Sequence, residues 1–67
     1  MSVAKVSEIS ATSAIGFEDA IKQGLARAHQ SLRNVRSAWI KEQHVRVRDE
    51  AITEYQVNMM VTFVIDD

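Results

Sequence analysis

The stretch "ITEYQVNMMVTFVID", residues 52–66, decides the fold. Read with period two, it places Tyr55, Val57, Met59, Val61, Phe63 and Ile65 on one side and Glu54, Gln56, Asn58, Met60, Thr62 and Val64 on the other. Side chains alternate between faces in this way only along a β-strand. The first set is apolar throughout, so it is a core face that another element must cover.

The cover lies upstream. From Phe17 to about Arg33 the period changes, and Phe17, Ile21, Leu25, Ala28 and Leu32 draw one stripe along a helix, which Ala20 widens. Ser13 or Gly16 is placed to cap that helix, and Glu18 and Asp19 put negative charge in its first turn, where the dipole favours it. "VAKVSEISA" (3–11) reads as a first strand and "TSAIG" (12–16) as the connection to the helix. "NVRSAWIKEQHVRVR" (34–48) reads as a long second strand and "DEA" (49–51) as the turn into the third. The fold expected is α+β. It is a β-α-β-β protomer in which a three-stranded antiparallel sheet wraps against one helix, with residues 1–67 forming one domain.

Sixty-seven residues give a small core. A chain of this size buries only about 60% of its unfolded surface and is marginal alone. Small folds gain stability from disulfides, metals or association. There is no cysteine, and His29 and His44 form no metal-binding spacing, so association is the device expected. The formal net charge of −1 lacks the concentrated basic face of a nucleic-acid binder. No apolar run approaches the roughly 20 residues of a membrane-spanning helix. "MSVAKVSEIS" (1–10) lacks the apolar centre of an export signal, and the chain reads as cytoplasmic.

One helix covers one face of a sheet. The second face carries Met60 and Val64 with Gln56 and Asn58, and a contiguous apolar patch left open marks an interface or a ligand site. "SAWIKEQ" (37–43) sharpens the question, because alternation puts the chain's single tryptophan, Trp39, with Ser37 and Lys41 rather than with Ala38 and Ile40. Either another subunit covers that face or a flat ligand lies on it.

The segments "KVSEI" (5–9), "TS" (12–13), "FEDAI" (17–21), "LARA" (25–28) and "LRN" (32–34), followed by "EQ" (42–43), "YQV" (55–57) and Val61 with Phe63, together resemble the dodecins. The resemblance spans essentially the whole chain. It implies a β-α-β-β protomer, assembly into a hollow homododecamer, and flavin bound at two-fold interfaces. It also implies two site features. A tryptophan on the second strand stacks on the isoalloxazine ring, and a glutamine on the third strand hydrogen-bonds the ring's polar edge. Gln56 stands at the glutamine position, but Ser37 stands where the stacking tryptophan is expected. Trp39 lies two residues on, about 6–7 Å further along the strand. Ala11 replaces a frequent glycine, and His44 replaces an arginine found in some members. Branches of the family without the tryptophan include calcium-associated ones.

The candidate ligand-binding residues are therefore Gln56, Trp39, Ser37, Arg46 and His44. A tryptophan face suits a flat heterocycle, and a glutamine amide offers both donor and acceptor to a pyrimidine-like edge. Arg46 and Arg48 are candidates for a flavin phosphate, and the terminal Asp66 and Asp67 for a hard cation. Met59 and Met60 read as packing residues. No nucleophile stands beside a base and no glycine-rich phosphate loop is present, so no enzyme is expected. The function expected is storage or sequestration of riboflavin, FMN or FAD. The alternative is a dodecin-like shell without flavin, structural or calcium-binding, in which Trp39 serves packing.

Overall fold

A computed structural model describes residues 2–65. Its elements are β1 (Ala4–Ser13), α1 (Phe17–Ser31), β2 (Val35–Arg48) and β3 (Ala51–Val64). The three strands form one sheet in the order β1-β3-β2, antiparallel at both joins, so β3 is the central strand. This is the expected α+β arrangement, with small shifts at element ends. β1 runs two residues further than expected, which shortens the connection to residues 14–16. Asn34 is a left-handed residue (φ 60°) before β2 rather than its first member. Ile65 lies beyond β3 and is exposed, not part of the core. The expected strand end at residue 66 and the candidate cation ligands Asp66 and Asp67 lie outside the described residues.

The helix begins at Gly16, which caps through its backbone alone. Ser13 acts differently from a cap. Its buried hydroxyl donates to Asp19 Oδ2 (2.6 Å) and accepts from the Ile15 amide (2.9 Å), tying the end of β1 to the first helical turn. The apolar face of β3 meets the helix as expected: Val57, Met59 and Val61 are fully buried, and Phe17 packs edge-on against Tyr55 with ring centroids 5.1 Å apart. The centre of the contact, however, is a line of small residues, Ala20, Gly24 and Ala28, one helical turn apart. Phe17, Ile21, Leu25 and Leu32 flank that line and are half-buried. Small residues let the helix axis approach until Met59 sits beneath Gly24.

The helix lies over β1 and β3 and barely reaches β2. Almost all of β2 is exposed on both faces. The protomer is accordingly long, 52 × 19 × 13 Å, with a radius of gyration of 13.9 Å. A self-contained domain of this length would have about 11 Å. The exposed surface of 5009 Å² likewise exceeds the roughly 4,200 Å² of a compact monomer of this mass.

Two β-bulges set what β2 shows on each face. Val35 pairs with Phe63 but Ser37 with Thr62, and Ile40 pairs with Met59 but Glu42 with Asn58, leaving Arg36 and Lys41 as the extra residues. Each bulge changes which parity of residue number faces the helix side. The outcome is a face opposite the helix that carries Ser37 and Trp39, then Glu42, His44 and Arg46. A third irregularity near the hairpin end leaves Thr53 unpaired between Arg46↔Glu54 and Val47↔Ile52.

Candidate functional site

The face of the sheet away from the helix is a row of cross-strand partners. Reading across the strands, Thr12, Gln56 and His44 are neighbours, as are Ser10, Asn58 and Glu42, and Glu8, Met60 and Trp39. Residues directly opposite in a sheet share a face with Cβ atoms about 5 Å apart. Ser37 pairs with Thr62 and Arg46 with Glu54 on the same face. All five candidate residues thus stand on one side of the sheet, which is the side of Gln56.

The polar half of this face is a connected network. Gln56 Nε2 donates to Ser10 Oγ (2.9 Å) and Asn58 Oδ1 (3.3 Å), while Gln56 Oε1 accepts from Arg46 Nη2 (3.3 Å). Arg46 Nε donates to Glu54 Oε1 (2.9 Å). Asn58 Nδ2 donates to Glu42 Oε1 (3.0 Å), and His44 Nε2 stands 4.0 Å from the same oxygen. Arg46 carries only donors, so it fixes which way round the Gln56 amide sits: oxygen toward β2, nitrogen toward β1. The edge that Gln56 offers therefore has a defined polarity.

The other half is apolar and open. Trp39 is 52% exposed beside half-buried Met60. Lys41, the bulged residue, crosses the sheet to Glu8 on β1 with Nζ to Oε1 at 3.2 Å. Glu8 and Trp39 are the two cross-strand partners of Met60, so this ion pair passes beside the indole. Lys41 does share Trp39's face, as alternation implies, but through a bulge.

The structure brings Gln56, His44 and Arg46 together and keeps Trp39 and Ser37 apart from them. Trp39 is level with Met60, four residues from Gln56 along β3, and Ser37 is level with Thr62, six residues away. Those offsets are about 13 and 20 Å. Three participants were not singled out in the sequence: Ser10, Asn58 and Glu54 complete the Gln56 and Arg46 contacts. Asn58 and Glu54 were at least legible as face-mates of Gln56 by parity. Among the described residues no group of three or more His, Cys, Asp or Glu could hold a metal ion, and no helix is long and apolar enough to cross a membrane.

A family model described as Dodecin matches residues 3–66. The chain belongs to the dodecin family. Membership brings with it the reading of a small-ligand-binding protein. Solved dodecins superpose closely. A dodecin from Streptomyces davaonensis is 33% identical, with a TM-score of 0.93, covering 98% of this chain and 97% of that one. A tryptophan-to-phenylalanine mutant of the T. thermophilus dodecin is 34% identical, with a TM-score of 0.94 and full coverage of both chains. A third, the calcium-chelating antigen calcium dodecin from Mycobacterium tuberculosis, is 30% identical with a TM-score of 0.82, covering 96% of this chain and 91% of that one. No curated protein matches the chain.

Proposed function

We propose that residues 1–67 form one dodecin domain that binds a flat heteroaromatic ligand, flavin first, and stores it inside a hollow homododecamer in the cytoplasm. The observation that carries this reading is the placement of half-exposed Trp39 and the oriented Gln56 amide on one uncovered face, about 13 Å apart. Two copies packed face to face about a two-fold axis bring the indole of one toward the amide of the other. The long, surface-rich protomer supports the same association, because its second sheet face and β2 lack cover. The mechanism is sequestration: the ring is stacked, its polar edge is held by Gln56, and light and solvent are excluded. No bond is made or broken, and neither nucleic acid nor a membrane takes part.

The test is the absorbance spectrum of freshly purified protein, its native mass, and titration of riboflavin fluorescence. A twelve-copy mass with quenching of added riboflavin is expected. A stable folded monomer, or riboflavin fluorescence unchanged at saturating protein, would sink the proposal. Ser37 at the stacking position, together with 30% identity to a calcium dodecin, supports the second reading of a calcium-binding or purely structural shell. Heat released on calcium titration of a colourless protein would select it.

A further inference from the structure

We infer that Arg46 is a specificity-determining residue of the ligand face. With Gln56 it reads an N–H beside a C=O on the ring's edge, and the pair disfavours the same ring alkylated at that nitrogen. This inference rests on the proposed flavin site and names the chemical feature that site selects.

Its basis is the direction of the hydrogen bonds along the polar half of the face. Arg46 Nη2 donates to Gln56 Oε1 (3.3 Å), Gln56 Nε2 to Asn58 Oδ1 (3.3 Å), and Asn58 Nδ2 to Glu42 Oε1 (3.0 Å). The row begins at a guanidinium, which only donates, and ends at a carboxylate, which only accepts. Neither amide between them can turn round without setting donor against donor or acceptor against acceptor. Gln56 Nε2 also donates to Ser10 Oγ (2.9 Å). Both amide hydrogens are thus used inside the protomer, while Oε1 keeps a lone pair. Toward a ligand, Gln56 is an acceptor alone.

The matching donor stands beside it. Two of the five Arg46 N–H bonds are engaged, at Glu54 and Gln56, and the side chain is 65% exposed. Three N–H bonds remain for a ligand, one of them on Nη2 itself, 3.3 Å from the Gln56 oxygen. The contact to Glu54 (2.9 Å) steadies the guanidinium while its outer edge stays open. An acceptor and a donor this close complement the neighbouring N–H and C=O of one imide, the pair that a flavin carries on its pyrimidine-like edge. A methyl on the imide nitrogen removes the N–H and leaves the Gln56 oxygen covered without a partner.

The experiment titrates the intact assembly with riboflavin and with its N3-methyl analogue. Riboflavin should bind more tightly by about tenfold or more. Arg46→Met keeps an apolar stem and removes every donor. It should weaken riboflavin by about tenfold and the methylated ring by less, so that the ratio falls several-fold. Arg46→Lys retains donors and should lose less riboflavin affinity than Arg46→Met. Equal binding of the two rings overturns the inference. So does a ratio that Arg46→Met leaves unchanged, because exclusion of the methyl is then steric and owes nothing to Arg46. If neither ring binds, the flavin-storage reading fails and this inference falls with it, whereas equal binding of both sinks the inference and leaves that reading standing.

Discussion

Replacing Gly24 by alanine sets two known effects against each other. In a helix interior alanine is favoured over glycine by about 0.8–1.0 kcal/mol, so an exposed site would gain stability. At Gly24 the added methyl would overlap the Met59 Cε methyl, stand 3.0 Å from Ala11 Cβ and 3.8 Å from Ile9 Cδ1. The Met59 methyl is the far end of a flexible side chain and can turn aside, so the Ala11 contact decides the sign. Ala11 Cβ is fixed to the β1 backbone and yields only if the strand moves. Overpacking of this kind costs about 1–3 kcal/mol. The net expectation is a loss of about 1 kcal/mol, or roughly 4–8 °C in Tm for a domain of this size. Denaturant unfolding followed by circular dichroism, at several matched protomer concentrations because association contributes, measures it. Met59→Val shortens the opposing side chain. In the double mutant the two changes should couple favourably by at least about 1 kcal/mol. A Gly24→Ala protein more stable than the parent by about 1 kcal/mol would refute the close helix–sheet approach.

Other outcomes follow from the same geometry. Trp39→Ala should weaken riboflavin binding by about tenfold if two indoles flank each ligand pair, each aromatic contact contributing about 0.5–1.5 kcal/mol; flavin fluorescence reads it, and an unchanged Kd would mean other residues build the site. Ser37→Trp should strengthen the same binding, and a loss would place position 37 outside ligand reach. Leu25→Ala should cost about 1–2 kcal/mol, below the 2–5 kcal/mol of a fully buried site, because Leu25 is only half-buried in the protomer; a change under about 0.5 kcal/mol in urea unfolding would contradict that packing. Asp49 and Glu50 have φ of 51° and 64°, the signs of a type I′ hairpin turn. A left-handed non-glycine residue costs about 1–2 kcal/mol, part of which glycine returns as unfolded-state freedom, so Glu50→Gly should gain about 0.5–1 kcal/mol in the same assay.

The elements were legible in the sequence because their periods differ sharply. Residues 52–66 alternate and Phe17–Leu32 repeat at three and four. The centre of the helix contact was not legible. Gly24 carries no hydrophobic signal, and its value lies in the absence of a side chain, which periodicity does not register. Parity correctly separated Gln56 from the core face. It could not show that Ser37 and Trp39 share a face with His44 and Arg46, since strict alternation puts odd and even positions on opposite sides. Of the bulges at Arg36 and Lys41, the one at Lys41 unites them; both are ordinary exposed residues without the glycine that would betray one local bulge type. The three-residue turn read from the sequence is a two-residue turn, and the unpaired Thr53 restores the same register beyond it, so Arg46 stands opposite Glu54 either way.

Those bulges also say where the chain can change in length. A one-residue slip in a strand ordinarily inverts every side chain beyond it. Losing an already unpaired residue is different, because the ladder on either side is in register without it. Removal of Arg36 would bring the Val35↔Phe63 and Ser37↔Thr62 pairs into plain succession and still leave Trp39 facing outward. Removal of Lys41 would likewise preserve Glu42, His44 and Arg46 on their face, at the expense of the ion pair to Glu8. An insertion between residues 37 and 40 has no such refuge. Relatives that differ from this chain by one residue in β2 should therefore place the gap at 36 or 41, where the facing of every other side chain is kept and only the loss of Lys41 costs this face a contact.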